Sequence, residues 1–117
     1  MGMWKLKQIL NMTKSIKKLV RDGKVAVLYS PGFGAGWFTW NQELPELIFD
    51  PVIVDFVEKE QWAELDTYVK LKYSDIYDGG MRDLTVVWLA VGTEFQINEY
   101  DGAESIEIKD DVIWMTA

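Results

Sequence analysis

The spacing of hydrophobic and polar positions changes along the chain, and each change predicts a different kind of element. Over residues 3–21, apolar residues recur at helical spacing among lysines, which predicts an amphipathic helix that ends at Asp22-Gly23. The alternative is a shorter helix that begins near residue 12, capped by Asn11 or Thr13, with the first ten residues as a loose extension. Residues 25–29 are apolar without alternation, as expected for a strand buried on both faces. These two elements occupy the first quarter of the sequence.

A helical region follows in the middle of the sequence. Asp50-Pro51 predicts the start of a helix, because an aspartate side chain can cap free backbone amides and proline suits the first helical position. The apolar run at 52–57 is expected to be largely buried. A second helix is predicted at about 61–72, with Leu65 and Val69 on its apolar face.

The C-terminal third predicts strands. Residues 84–91 are apolar on both faces and indicate a central strand, alternation follows from Phe95 onward, and Asp101-Gly102 is typical of a hairpin turn. A last short strand is predicted at 112–115. The order of an N-terminal helix, one buried strand, a helical excursion and an antiparallel β-meander predicts an α+β fold. We expect a basic helix or extension at 1–23 and a single α+β domain at 24–117.

Composition narrows the chemistry that the chain can perform. Its 117 residues are 49% hydrophobic and contain neither cysteine nor histidine. The absence of both residue types excludes thiol chemistry, histidine-based nucleophile systems and zinc bound through nitrogen or sulfur. An enzyme would have to use carboxylates, lysine, arginine, tyrosine, serine or threonine, or a metal bound through oxygen. We expect a cytoplasmic protein, because no spanning or secretory pattern is evident.

Charge is distributed unevenly along the chain. The first 24 residues hold seven basic residues and one acidic residue, a net charge of +6. The other residues hold five basic and eighteen acidic residues, a net charge of −13. The basic segment is therefore expected to pack on the acidic body, either of its own chain or of a second copy. A solvated helix face would show the same pattern, and that alternative stays open.

The segment at 30–41, here called the Gly-aromatic loop, is the strongest candidate for function. It contains three glycines and four aromatic residues and no charge. Glycines allow close approach of the backbone to a partner, and large aromatic side chains must find somewhere to bury. Of Trp37 and Trp40, one is expected in the core and the other partly exposed, together with Phe33 or Phe38. The predicted ligand- or partner-binding residues are Ser30, Gly32, Phe33, Gly34, Gly36, Trp37, Phe38 and Trp40.

Other sites fit the sequence less well. The loop has no lysine and lacks the glycine spacing of a P-loop or a dinucleotide fingerprint, although backbone amides alone could bind an anion. A loop that only fills the core is a further interpretation. Acidic turns could supply paired carboxylates for hydrolysis, but their spacing does not match a calcium-binding loop. Those acidic residues are Asp75, Asp78, Asp83, Glu99, Asp101 and Glu104.

Several uncommon short segments occur in one order along the chain. They are Gly34-Ala35-Gly36-Trp37, Thr39-Trp40-Asn41, Leu47-Ile48-Phe49-Asp50-Pro51, Gly79-Gly80, Gly92-Thr93-Glu94-Phe95 and Glu99-Tyr100-Asp101-Gly102-Ala103-Glu104. Together these segments resemble a group of small phage and prophage proteins of uncharacterised function. The similarity runs from about residue 24 to residue 108 and brings no known activity or functional residue. It implies a small accessory protein that binds and neutralises a host factor or signal.

Taken together, these observations predict a non-catalytic accessory binding protein of phage type with a role in counter-defence. Through the Gly-aromatic loop it would sequester a small anionic or nucleotide signal or inhibit a host protein. We expect self-association, no cofactor, no metal, and neither a membrane nor a nucleic acid as partner. In a phage-encoded protein the location would be the host cytoplasm. The alternative is a small carboxylate-dependent hydrolase, which could be metal-assisted.

Overall fold

The computed structural model describes residues 16–33, 36–111, 113 and 115–117. These residues form an α+β fold of two α-helices and five strands, as the sequence predicts. The strands are β1 (Val20–Arg21), β2 (Lys24–Tyr29), β3 (Thr85–Ala90), β4 (Phe95–Tyr100) and β5 (Ala103–Ile108). The helices are α1 (Pro51–Glu58) and α2 (Trp62–Lys72), with short 3-10 helices at Pro45–Ile48, Met81–Asp83 and Lys109–Asp111.

The segment just before β2 is a strand rather than the end of a helix. Asp22 and Gly23 both have positive φ, 54° and 75°, and they connect β1 to β2 as a two-residue hairpin turn. The predicted helix is therefore wrong for residues 16–21, because Asp-Gly is a hairpin signal as well as a helix stop. The rest of that helix, residues 3–15, lies outside the described residues.

β2 is the central strand of a three-stranded antiparallel sheet in the order β1-β2-β3. Three consecutive β2 residues, Ala26, Val27 and Leu28, are buried, so both faces of the strand are covered as predicted. The core around β2 joins side chains from the loop, both helices and β3. It consists of Ala26, Val27, Leu28, Trp37, Leu47, Ile48, Ile53, Val54, Val57, Leu65, Val69, Tyr73, Met81, Leu84 and Leu89.

β3 lies at the edge of this sheet, which corrects the prediction of a central strand. It pairs antiparallel with β2, from Lys24 opposite Ala90 to Tyr29 opposite Thr85, and with no second strand among the described residues. An apolar sequence favours covered faces but does not specify how many strands lie beside a strand. Among the described strands, β4 and β5 pair only with each other, so β3, β4 and β5 do not form one continuous meander.

The second sheet is the β4–β5 hairpin. Its turn is Asp101-Gly102, with φ of 53° and 86°, as the sequence predicts. The hairpin packs against the core through Phe95, Ile97, Ile106 and Ile108, which alternate with polar positions. Of the last predicted strand, residues 112 and 114 lie outside the described residues, and residues 113 and 115 are not in a strand.

The two helices begin close to their predicted positions. Asp50 caps α1, since its Oδ1 accepts the amide of Val52 at 2.9 Å, and Pro51 is the first helical residue. Ile53, Val54 and Val57 bury the inner face of α1, and Leu65 and Val69 bury that of α2. Neither these helices nor any other helix in the described part of the chain has the length and apolarity needed to cross a bilayer.

Candidate functional site

The Gly-aromatic loop leaves β2 and divides its aromatic side chains between core and surface. Trp37 is fully buried and its indole N–H donates to the carbonyl of Leu47 at 2.9 Å. Trp40 is 58% exposed and Phe33 is 83% exposed. The predicted division between a buried and an exposed tryptophan is therefore confirmed, with Phe33 as the exposed phenylalanine.

The other predicted loop residues also differ in their surroundings. Ser30 and Gly36 are buried, whereas Phe38 is half-buried and packs against the core. Gly32 is half-buried and lies against the side chain of Asp83, because a Cβ added at Gly32 would come within 2.4 Å of Asp83 Oδ2. Gly34 lies outside the described residues.

A carboxylate from the C-terminal hairpin holds the loop in place. Glu104 is buried, and its Oε1 accepts the amide of Ser30 at 2.9 Å. Its Oε2 accepts the amides of Trp37 at 3.0 Å and Thr39 at 2.8 Å, and the hydroxyl of Thr39 at 2.8 Å. The backbone amide of Glu104 donates to the Ser30 carbonyl at 2.8 Å. The anion that the loop amides bind is therefore a side chain of the same protein.

A second set of contacts joins the loop to the segment at 77–80. Asn41 donates through Nδ2 to the carbonyls of Trp37 at 2.7 Å and Tyr77 at 2.8 Å, and its Oδ1 accepts the Tyr77 amide at 2.9 Å. The hydroxyl of Ser30 donates to the Gly80 carbonyl at 2.9 Å. A Cβ at Gly80 would lie 2.3 Å from the backbone oxygen of Gly36, so the two segments touch at their glycines.

These contacts fix an exposed aromatic pair, here called the Trp40–Tyr77 pair. The two ring centroids are 5.5 Å apart and the rings are inclined by 40°. The indole of Trp40 covers Gly36, where an added Cβ would come within 1.9 Å of Trp40 Cδ1. Tyr77 covers Gly79 in the same way and is 46% exposed. The pair thus presents aromatic surface on a backbone that hydrogen bonds hold rigidly.

The charged residues in the connection that carries Tyr77 are mostly acidic. Asp78 follows Tyr77 directly, and Asp75 and Asp83 lie in the same connection between α2 and β3, with Arg82 as its basic residue. Between Lys24 and Lys59 the chain has no basic residue. Local charge and the occupied loop amides both disfavour an anion at this site.

The acidic turns do not form a recognisable catalytic pair. Glu99 and Glu104 are opposite each other on β4 and β5, but Glu99 accepts the Gly102 amide at 2.7 Å while Glu104 holds the loop. Asp101 is exposed in the hairpin turn. Among the described residues, no group of three or more acidic side chains could hold a metal ion.

A second polar cluster lies where α1 begins and α2 ends, and Asp50 is its centre. Asp50 Oδ2 accepts the hydroxyls of Tyr73 at 2.7 Å and Tyr68 at 2.8 Å, and Lys72 Nζ lies 3.2 Å away. The cluster borders an open pocket of about 620 Å³ whose walls include Pro45. The charged pocket residues are two acidic and two basic side chains, Glu46, Asp50, Lys17 and Lys72.

The pKa values of Asp50, Tyr68 and Tyr73 argue against a role for this cluster as a general base. Burial by itself would raise the pKa of Asp50, but hydrogen bonds from Tyr73, Tyr68 and Val52 and the charge of Lys72 hold that pKa below 3.8. Burial raises the pKa of Tyr73 and of Tyr68, and the Asp50 carboxylate raises both further. Asp50 is thus ionised and saturated with donors while both tyrosines stay neutral.

Two functional residues of the loop site are not evident from the loop sequence. Glu104 could have been found from alternation in β5, because Ile106 and Ile108 face the core and residue 104 has the same parity. The sequence gives no comparable indication for Tyr77. This residue lies in an irregular connection, and its amide contacts the loop by donating a hydrogen bond to Asn41.

Comparison of the chain with protein-family models, with curated proteins and with solved structures finds no match. The geometry of its own residues therefore carries the functional argument.

Proposed function

We propose that this protein is a non-catalytic binding protein that engages a partner protein through the Trp40–Tyr77 pair. The observation that carries the proposal is the exposed tryptophan Trp40, which packs between Gly36 and Tyr77. The loop that carries it is held by hydrogen bonds to Glu104. Tryptophan and tyrosine contribute disproportionately to the free energy of protein–protein association. A rigid display lowers the conformational entropy that is lost on binding.

The chemistry around the pair favours a partner that presents lysine or arginine. Asp75, Asp78 and Asp83 give the connection that carries Tyr77 a net negative charge, with Arg82 as its basic residue. A cation that approaches this surface gains both from those carboxylates and from contact with the aromatic rings. Three of the loop amides, those of Ser30, Trp37 and Thr39, are bonded to Glu104 and are therefore not free to bind an anionic signal. A partner protein is therefore the better-supported of the two ligands expected from the sequence.

A setting in a phage, with the host protein as target and counter-defence as the role, rests on the resemblance described above. Self-association and a location in the cytoplasm are part of the same hypothesis. In this setting the protein would act by occupying a host protein rather than by chemical conversion.

The proposal is tested by affinity capture of host proteins with the wild-type protein and with Trp40→Ala and Tyr77→Ala. Leu71→Ala is the matched control, because Leu71 is an apolar side chain on α2 that is 82% exposed. We expect the wild type and the control to retain the same partner. Each aromatic variant should lose about 2 kcal/mol or more of binding free energy, as for an interface hot spot. Thermal melting shows that the variants are folded.

Three outcomes would contradict the proposal. If Trp40→Ala and Tyr77→Ala both bind the partner as tightly as the wild type does, the pair is not the binding surface. If a nucleotide binds the wild type and Trp40→Ala abolishes that binding, the ligand is a small ring-bearing signal instead. Turnover of any captured ligand by the folded protein contradicts a non-catalytic role.

A further inference from the structure

The two edges of the three-stranded sheet are protected very differently. The β1 edge is two residues long and carries Arg21, whose guanidinium bonds to Glu58 at 3.1 Å. The β3 edge is six residues long, and its sequence, Thr85-Val86-Val87-Trp88-Leu89-Ala90, contains no charge and no proline. Proteins normally guard a long edge strand with charge, proline, a bulge or a covering segment, because an open edge recruits other strands.

Hydrogen-bond register shows which groups of β3 face outward. The amide of Val91 bonds to the carbonyl of Gly23, its direct partner, at 3.0 Å. Bonded pairs alternate along an antiparallel ladder, so Thr85, Val87 and Leu89 bond to β2. The N–H and C=O groups of Val86 and Trp88 consequently point away from β2. No strand in the described part of the chain pairs with that side.

Burial of the side chains agrees with an edge that is open to a partner. Val86, Val87 and Trp88 are only half-buried, whereas Ala26, Val27 and Leu28 of the neighbouring strand are fully buried. β3 therefore has the composition of an internal strand and the exposure of an edge strand. A further strand beside β3 would remove this mismatch.

We propose that the missing neighbour is β3 of a second copy of this chain, paired antiparallel across a two-fold axis near Val87. In this register Val86 of each copy is opposite Trp88 of the other. Both residues have outward-facing backbone groups, so each of the two pairs forms two hydrogen bonds. Valine opposite tryptophan is a favourable cross-strand pair. The two sheets then form one continuous six-stranded sheet.

Charge also suits a second copy. The six residues of β3 bring no like charges opposite each other. Antiparallel pairing directs Arg82, which precedes β3, toward the turn of the other copy that carries Glu94, where it would join the exposed ion pair that Glu94 forms with Lys109 at 2.7 Å. The side chains of Arg82 and Glu94 are both exposed, and symmetry repeats the contact. This dimer would provide the self-association named in the proposed function, but its test is separate from the test of partner binding, because it uses β3 and not the Trp40–Tyr77 pair.

Sedimentation velocity of the full chain over a range of concentrations tests the dimer. We expect the wild type to reach twice its mass of 13.5 kDa. Val86→Pro removes an outward N–H that β2 does not use, and Val86→Lys places a charge at the edge. Each should weaken dimerisation at least about tenfold. Val20→Lys, on the β1 edge, is the matched control and should dimerise like the wild type.

Hydrogen exchange at the Val86 and Trp88 amides keeps the test decisive if a variant fails to fold. In the wild type, exchange at both amides should slow as concentration rises. A folded monomer at every concentration overturns the proposal, as does a dimer that both Val86 variants leave intact. Protection of both amides in a monomer would show that the chain covers its own edge, and would also overturn it.

Discussion

Glu104 brings a negative charge into the interior, and its side-chain hydrogen-bond partners are three backbone amides and one hydroxyl of the loop. Burying a carboxylate is unfavourable unless such bonds replace its hydration, and bonds to a charged acceptor are stronger than neutral ones. One side chain thereby joins Ser30, Trp37 and Thr39, which lie at three places along the loop.

We expect Glu104→Gln to destabilise the fold by about 1–3 kcal/mol, because its amide group must face at least one backbone N–H donor. Glu99→Gln, on the opposite strand, is the control and should cost less, since the Glu99 carboxylate accepts only the Gly102 amide among its described contacts. Urea unfolding of both variants measures the difference. Equal losses in free energy of unfolding would mean that the loop is not held by Glu104.

A comparison of Gly36 with Gly92 separates the cost of backbone strain from the loss of support for the Trp40 indole. Gly36 and Gly92 have φ of 96° and 90°, but only at Gly36 would a Cβ meet the indole of Trp40. Both Gly→Ala variants should cost roughly 1–3 kcal/mol through backbone strain. Gly36→Ala alone should also shift the fluorescence of Trp40 and weaken partner binding. Identical fluorescence and binding in the two variants would contradict the role of Gly36 as the support for the indole.

At the scale of elements, Asp50 joins the start of α1 to the end of α2. It caps α1 through Val52 and accepts hydrogen bonds from Tyr68, Lys72 and Tyr73 at the other helix. The sequence predicts the cap because Asp-Pro is a local signal. It does not predict the tyrosine contacts, since these depend on how the two helices cross.

This connection should make stability depend on pH. The pKa of Asp50 is lower in the folded protein than its ordinary value of 3.8, so its contribution is complete above that value and is lost as pH falls through the folded pKa. Asp50→Asn retains a capping side chain but removes the charge. We expect it to lower the melting temperature at pH 7, and the difference from the wild type should shrink below about pH 4.

The control for this prediction is Asp55→Asn, which removes an exposed carboxylate on α1 that pairs with Lys59 at 3.1 Å. Exposed pairs contribute only about 0–1 kcal/mol, so its melting temperature should stay close to that of the wild type. A constant difference between Asp50→Asn and the wild type from pH 7 to pH 2 would show that the ionisation of Asp50 does not stabilise the helix pair.

At the scale of the whole molecule, sequence patterns predicted the features that depend on neighbouring residues, but they did not predict how the strands pair. Burial of β2, the two helices, the Asp101-Gly102 turn and the division between Trp37 and Trp40 followed from spacing and turn chemistry. The helix predicted at 16–21 is wrong because Asp22-Gly23 serves hairpins as well as helix ends. Strand order could not be read from composition, because apolar side chains report covered faces and not neighbouring strands.

Attachment of the loop to Glu104 also has a consequence for the order of folding. Ser30 and Glu104 are 74 positions apart, and Trp37 and Glu104 are 67 apart. Contacts so distant in sequence form slowly, whereas the two adjacent helices can form from local contacts. During synthesis, the aromatic residues of the loop therefore emerge long before the carboxylate that arranges them. Under the proposed function, the Trp40–Tyr77 pair would be able to bind a partner only after β5 has been made and has docked, so recognition would wait until the fold is assembled.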